Sequence, residues 1–431
     1  KKTELARDLF LRLSAKFGRG GLLHFGQGKW YPGEQLPRWS MACFWRKDGA
    51  PIWKQEDWLA TRKEDRGHTM DTAKQFIGHL AVKLLLPEAC VIPAYEDAIY
   101  YLWKEQKLPV EGDIFKADLH EKTERRRLQK LLEGNLNHPA GYVLPLAFAE
   151  PRDQWISNRW VFRSKRLILT IGDSPIGFRL PLDSLPSVPQ EQIHEALGHE
   201  PSVFQALGQF PAWEEFGRIL EGRKRGVVSA SGKATPEDPG ALVRTALCVE
   251  PRGGQLHVFI PPVKHAAHYL ELISAVESVA GHMKVPVTIE GYEPPHEPGL
   301  QHFRITPDPG VIEVNVHPAH SWDELNEIIG TVYEEAYQSR LVADKFMIDG
   351  RRVGTGGGNH IIAGGATPQD SPFLRRPDLL RSFITFWQNH PSLSYLFSAM
   401  FIGPTSQFPR VDEARMDSLY DLDIAFKEMS R

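Results

Sequence analysis

The chain has 431 residues, of which 42% are hydrophobic and 24% charged, with a formal net charge of −3. That length supports a large core and two or three domains, and the near-neutral charge argues against nucleic-acid and membrane-surface partners. No apolar run reaches the roughly 20 residues needed to span a bilayer. Cys43, Cys90 and Cys248 are far apart and give neither a disulfide framework nor a zinc motif, so a reducing cytoplasm is expected. The first residues, Lys-Lys-Thr-Glu-Leu-Ala, lack a Met and are not a signal peptide. A piece of a longer polypeptide is therefore expected. With 11 Trp, 33 Pro and 36 Gly, the composition suits many ordered, non-repetitive loops.

In chain order, residues 4–17 are predicted to be an amphipathic helix. The glycine-rich stretch 18–34 carries His24, Gln27 and Lys29. It reads equally well as an active-site loop or as a rigid loop packed by Trp30, Tyr31 and Trp39, and it is not a phosphate loop by pattern. Helices are predicted over 71–86, 94–107 and 118–132. Glu96 and Asp97, near the start of the second, are expected to complement its dipole. Residues 1–150 thus form a mainly helical region. Residues 151–240 read as a strand over 166–171, a loop over 172–183 resembling an anion-binding turn with Arg179 beside it, and a polar insertion or linker over 190–240, partly mobile.

Residues 241–431 carry most of the chemistry. A hairpin is predicted over 246–252 and 255–260, a helix over 265–281, then strands over 286–291, 301–306 and 311–317. A capping box at Ser321 and Glu324 opens a helix running to about Arg340. A glycine-rich run over 354–360 leads into a short strand over 361–363, and residues 373–430 are helical again. The strand 311–317 alternates without a break, with Ile312, Val314 and Val316 on one face and Glu313, Asn315 and His317 on the other. Together, the polar faces carry Glu250, Arg252, His257, Arg304, Glu313, Asn315 and His317, with little Lys or Thr. That composition predicts an α+β fold, mainly an antiparallel sheet with one polar cleft face.

Carboxylates accompanied by an amide and an imidazole suit Mg²⁺ or Mn²⁺ bridging to phosphate. The glycine run brings backbone N–H groups close to an anion, and arginines neutralise the charge of phosphoryl transfer. The competing chemistry is a thiol acyl transfer through Cys248, which lies beside Glu250 but in mid-strand. Cys43 and Cys90 are expected in the core.

The segments HFGQGKWYPGEQLPRW, GDSPIGFRLPLDSLP, RTALCVEPR, TPDPGVIEVNVHPAHSW, KFMIDGRRVGTGGGNH and FIGPTSQFPRVDEAR resemble the bacterial DUF2126 amidoligase family over nearly the whole chain. The resemblance implies a glutamine-synthetase-like fold packed with helices, with residues 241–431 as its catalytic core. It also implies an ATP- and Mg²⁺-dependent carboxylate–amine ligase acting through an acyl phosphate, with carboxylate and amine substrates that include peptides. Family members are typically attached to a transglutaminase-like domain, and oligomers are allowed. Carried over by motif, Glu250 and Glu313 would hold metal with Asn315 and His317 in support. His360, with Gly356, Gly357, Gly358 and Asn359, would face the nucleotide phosphates. Arg179, Arg340, Arg410 and Arg415 would bind phosphate or carboxylate, Arg415 within the catalytic set. Ile362 stands where the superfamily often has a second His. No final Glu-x-Arg strand is found before Arg431, so the core is expected to be incomplete at its C-terminus. The alternative is a catalytically inactive peptide-binding or scaffold domain serving the transglutaminase-like domain.

Overall fold

A computed structural model describes residues 2–28, 38–61, 64–96, 138–172, 174–185, 210–223, 243–308, 311–346, 348–350, 352–354, 363–365, 368–390, 424, 427 and 428. The chain divides into two compact units, one comprising 14–200 and 208–304, the other 1–13, 201–207 and 305–431. Each is taken by itself.

The larger unit is built on a mixed sheet. Its strands are β1 (Leu22–Gln27), β2 (Trp39–Arg46), β3 (Ile92–Tyr95), β4 (Gly141–Pro145), β7 (Leu167–Ile168), β8 (Ala246–Arg252), β9 (Gln255–Ile260) and β10 (Val287–Gly291), while β5 (Ala147–Ala149) and β6 (Gln154–Ile156) form a separate hairpin. The order across the main sheet is β2-β1-β10-β9-β8-β4-β3-β7. β8 and β9 form the predicted antiparallel hairpin, with Glu250 opposite His257. β10 then runs parallel to both β9 and β1. The expected antiparallel pattern therefore holds for β1–β2, β3–β4, β4–β8 and β8–β9 and gives way to parallel pairing around β10. The reason is the helix between β9 and β10: such a crossover returns the chain in the same direction.

That crossover helix is α4 (Ala266–Met283), preceded in the chain by α1 (Lys2–Phe17), α2 (Met70–Lys83) and α3 (Trp213–Gly222). In α4 Leu270, Ile273 and Val276 are buried as predicted, and so are Glu271 and Glu277. Both carboxylates are satisfied. Glu271 pairs with Arg223 at 2.6 Å and accepts from Trp155 Nε1 at 2.7 Å. Glu277 accepts from the backbone N–H groups of Lys54 and Gln55 and from Trp213 Nε1, at 2.6–2.7 Å. Buried acids so bonded tie α3 and the 54–55 segment to the helix instead of destabilising it. α2 packs on β4, β8 and α4. On the opposite face, Trp160, Phe162, Leu167, Leu169, Ile176 and Leu185 close over Ala94, Val143, Cys248 and Phe259.

The part of 1–150 described here is not mainly helical: it supplies β1 to β5 besides α1 and α2. Residues 22–27, expected as loop, form β1. Residues 92–95 form β3, paired antiparallel with β4 and parallel with β7, so Ala94 and Tyr95 of the helix expected over 94–107 are in a strand, while 97–107 lie outside the described residues. Local acid-rich composition suggested a helix start, but Val91 and Ile92 favour the extended state and the sheet supplies the partners. The predicted helix over 118–132 lies outside the described residues. Of the expected insertion 190–240, only 210–223 is described, and it contains α3.

In the smaller unit, β12 (Val311–Asn315) lies beside the 305–308 end of β11 (Leu300–Asp308). α5 (Trp322–Gln338) starts as expected, with the Glu324 N–H donating to Ser321 Oγ at 3.1 Å. The hairpin of β13 (Asp344–Phe346) and β14 (Arg352–Gly354) follows, then α6 (Pro372–Arg375) and α7 (Pro377–Asn389). The strand expected over 361–363 and the loop over 404–415 fall on residues outside the description, apart from Ala363, which is not in a strand.

Candidate functional site

Strand alternation puts Cys248, Glu250 and Arg252 of β8 on one face. Pairing with His257 of β9, and of His257 with Thr288 of β10, adds His257 and Glu290 to it. Four polar side chains from three adjacent strands therefore converge. Arg252 Nη2 donates to Glu290 Oε2 and lies 2.7 Å from His257 Nδ1. His257 Nδ1 is 3.2 Å from the same Glu290 oxygen. Arg252 Nε is 3.5 Å from Glu250 Oε1, which also accepts the Ile176 N–H at 3.0 Å. Protonation of His257 Nδ1 decides whether the imidazole donates to Glu290 or accepts from Arg252.

The electrostatics are uneven. Glu250 is buried, and burial pushes its carboxyl up to about 7; the Arg252 charge opposes this, and Glu290 adds to it. Burial also acts on Glu290, but hydrogen bonding from His257 and the Arg252 charge outweigh it and hold Glu290 below the usual carboxylate range. Its second oxygen, Oε1, is buried with no hydrogen-bond partner among the described residues. Two buried carboxylates thus share one arginine, and one oxygen is left over.

A turn over Ile176–Arg179 closes this corner. Arg179 is buried: Nη1 donates to Glu96 Oε1 at 3.0 Å, Nη2 donates to Glu96 Oε2, and Nε donates to the Thr170 carbonyl at 2.9 Å. Glu96 is therefore a partner of Arg179, and the residues after it, over which its helix was expected to run, lie outside the described residues. The Arg179 guanidinium is spent on anchoring the turn. Gly177 lies flat on Phe259, where a Cβ would come within 2.2 Å of the ring.

His24, expected in a loop, is fully buried in β1. Neither ring nitrogen makes a well-formed hydrogen bond, although the Gly291 and Tyr292 backbone lies beside the ring, and burial pushes its pKa down to about 4. Cys248 is fully buried in the apolar cluster. Burial, reinforced by the nearby Glu250 and Glu290, holds its thiol well above the usual range, so it has no thiolate character for a nucleophile.

In the smaller unit, Glu313 Oε2 accepts from Thr306 Oγ1 at 3.3 Å and Asn315 is exposed. His317 is half-buried, and burial lowers its pKa. Arg340 is exposed and sits in the left-handed conformation (φ 59°) just after α5. Gly356, Gly357, Gly358, Asn359, His360, Arg410 and Arg415 lie outside the described residues. Among the described residues there is no group of three or more His, Cys, Asp and Glu side chains that could hold a metal ion.

Sequence reasoning passed over Glu290, the acid at the centre of the cluster. The available signal was the alternation of Thr288 and Glu290 with Val287 and Ile289.

This geometry defines an α+β protein with a buried carboxylate–arginine–histidine cluster on one face of a mixed sheet. The chain belongs to the family described as "Putative amidoligase enzyme (DUF2126)", which matches residues 1–431, its whole length. No curated protein and no solved structure matches it. Among the described residues, no helix is long and apolar enough to cross a membrane.

Proposed function

We propose that the protein is an ATP- and Mg²⁺-dependent carboxylate–amine ligase of a glutamine-synthetase-like kind, and that Glu250 and Glu290 belong to its centre. The observation that carries this reading is the pair of buried carboxylates on β8 and β10, the strands either side of β9, with Glu290 Oε1 buried and without a hydrogen-bond partner among the described residues. A hard divalent cation seeks such oxygen donors. The described residues supply two of the oxygen donors it takes, without a group of three: Glu250 and Glu290 would hold the cation, and Arg252 and His257 would orient Glu290. A cation held there would supply neutralisation of phosphate charge to a reaction in which ATP would activate the carboxylate as its acyl phosphate, releasing ADP, and an amine would then displace the phosphate. Arg252, held between the two acids, sets their charge balance, and the Ile176 N–H fixes Glu250. Glu313, with Asn315 and His317, remains the proposed metal-binding strand of its own unit, and His360 with its glycines the proposed phosphate loop. Attachment to a transglutaminase-like domain is part of the same proposal.

The test is calorimetry with Mg·ATP, followed by phosphate release on addition of carboxylate and amine. Glu250→Gln, Glu290→Gln and Glu313→Gln are each expected to remove Mg²⁺-dependent ATP turnover with the fold intact. Unchanged turnover removes the altered residue from the site, and absence of Mg·ATP binding by the full-length protein removes the ligase reading.

Arg252 favours a second reading. Its guanidinium already partly neutralises the acids, as a domain that binds peptides without catalysis would allow. Binding of peptide without any binding of Mg·ATP is the outcome expected of that alternative.

A further inference from the structure

Beside the acid cluster stands a group of aromatic rings that the ligase reading does not use. Phe259 is the buried base and lies next to Glu290 across the β9–β10 pairing. Phe178, from the turn over Ile176–Arg179, stands edge-on to it with ring centroids 4.8 Å apart. Tyr292, just past the end of β10, does so from another side at 6.1 Å. Phe178 and Tyr292 are 6.0 Å from each other, their planes inclined at 47°. Although both contact a core ring, they remain 39% and 45% exposed.

Several features hold these rings in place. The Gly177 backbone is pressed on Phe259. The Tyr292 N–H donates to the Ile260 carbonyl at 2.9 Å, and the Tyr292 carbonyl accepts from Tyr269 Oη at 3.0 Å. Two fixed, half-exposed aromatic faces offer apolar area at little entropic cost.

We infer that Phe178 and Tyr292 form an aromatic subsite beside Glu250 and Glu290 that receives an aromatic side chain of the carboxylate substrate. The word substrate rests on the ligase reading; the preference for an aromatic group does not. Position decides between a side chain and a nucleotide base. Phe178 follows Ile176, the donor to Glu250, by two residues, and Tyr292 follows Glu290 by two. Two residues span at most about 7 Å of extended chain. A base is held away from its terminal phosphate by a ribose and two further phosphates, whereas the side chain of a carboxylate substrate starts beside the reacting group.

The test compares N-acetyl-L-phenylalanine with N-acetyl-L-alanine by saturation-transfer NMR titration of the full chain, without additions and with Mg²⁺ and a non-hydrolysable ATP analogue. The phenylalanine derivative is expected to bind about tenfold more tightly. Phe178→Leu and Tyr292→Leu, which keep apolar bulk but remove the π face, are each expected to lose most of that preference. Tyr337→Leu, on an exposed helix position of the other unit, is expected to retain it. Equal affinities, no binding of either compound under any of these conditions, or a preference kept by both Leu variants would overturn the inference. A preserved aromatic preference without Mg·ATP binding sinks only the ligase reading. Mg·ATP binding without the preference sinks only the subsite.

Discussion

The backbone N–H of Ile176 donates to the Glu250 carboxylate at 3.0 Å across 74 positions of sequence. Through this bond, a turn outside the sheet fixes an acid inside it. The turn in turn depends on Gly177, whose absent side chain lets the backbone rest on Phe259. Arg179 adds the second anchor through Glu96. The corner is therefore held by a close approach, a buried ion pair, and hydrogen bonds to Glu250 and Thr170.

Gly177→Ala is expected to lift the turn, because the added carbon would lie 2.2 Å from a Phe259 ring atom. Overpacking of this kind costs about 1–3 kcal/mol. Chemical denaturation checks the loss, with Gly78→Ala as the comparison. Gly78 lies within α2 with open space around it, so alanine there is expected to stabilise by about 0.5–1 kcal/mol.

Glu250 gives a pH signature. Its folded-state pKa, about 7, lies above that of an ordinary glutamate. Between those values the folded state binds more protons than the unfolded state, so this residue makes stability fall as pH rises through that window. The full effect is at most roughly 3 kcal/mol. Glu250→Gln is expected to be more stable than the parent at pH 8 and to lose that advantage below pH 5. Urea midpoints at the two pH values check it; an identical difference at both would remove the burial argument.

The hairpin over 246–260 is legible in the sequence because two alternating runs meet at Gly253 and Gly254, both in the left-handed region. Its polar face was legible for the same reason. Glu290 was not, because a single acid in a five-residue strand acquires its meaning from parallel pairing with β9, and such non-local pairing leaves no local mark. Glycines hid β1: Gly26 resembles loop sequence, yet it makes room for the buried His24 ring, 2.9 Å from where its Cβ would stand. The ion pair of Glu96 was not legible either, because nothing in the sequence around it marks a partner. Its partner Arg179 lies 83 positions away.

Arg252 is expected to substitute for cationic charge between Glu250 and Glu290. Arg252→Met leaves both acids buried without it and should cost about 2 kcal/mol, less than a fully buried pair because the arginine is partly exposed. Under the metal-binding proposal, Mg²⁺ should then raise the melting temperature of the variant more than that of the parent. Equal Mg²⁺ shifts would separate Arg252 from cation binding at this cluster.

His24 supplies the opposite pH dependence. Burial holds it neutral down to about pH 4, whereas in the unfolded chain it takes up a proton near pH 6.5. Between these values the unfolded state binds more protons, so stability is lost as pH falls. The sign is opposite to that of Glu250, and the windows overlap between about pH 4.5 and 6.5, so the two contributions offset each other there. Removing one residue unmasks the other. His24→Phe, which keeps a ring against Phe44 (centroid separation 6.3 Å in the parent), should therefore become more stable relative to the parent as pH falls from 6.5 to 4, by up to roughly 3 kcal/mol. In the same window Glu250→Gln should instead lose stability relative to the parent as pH falls. Denaturant titrations of both variants at half-unit pH steps check the pair of slopes, and slopes of the same sign would show that His24 is not held neutral in the fold.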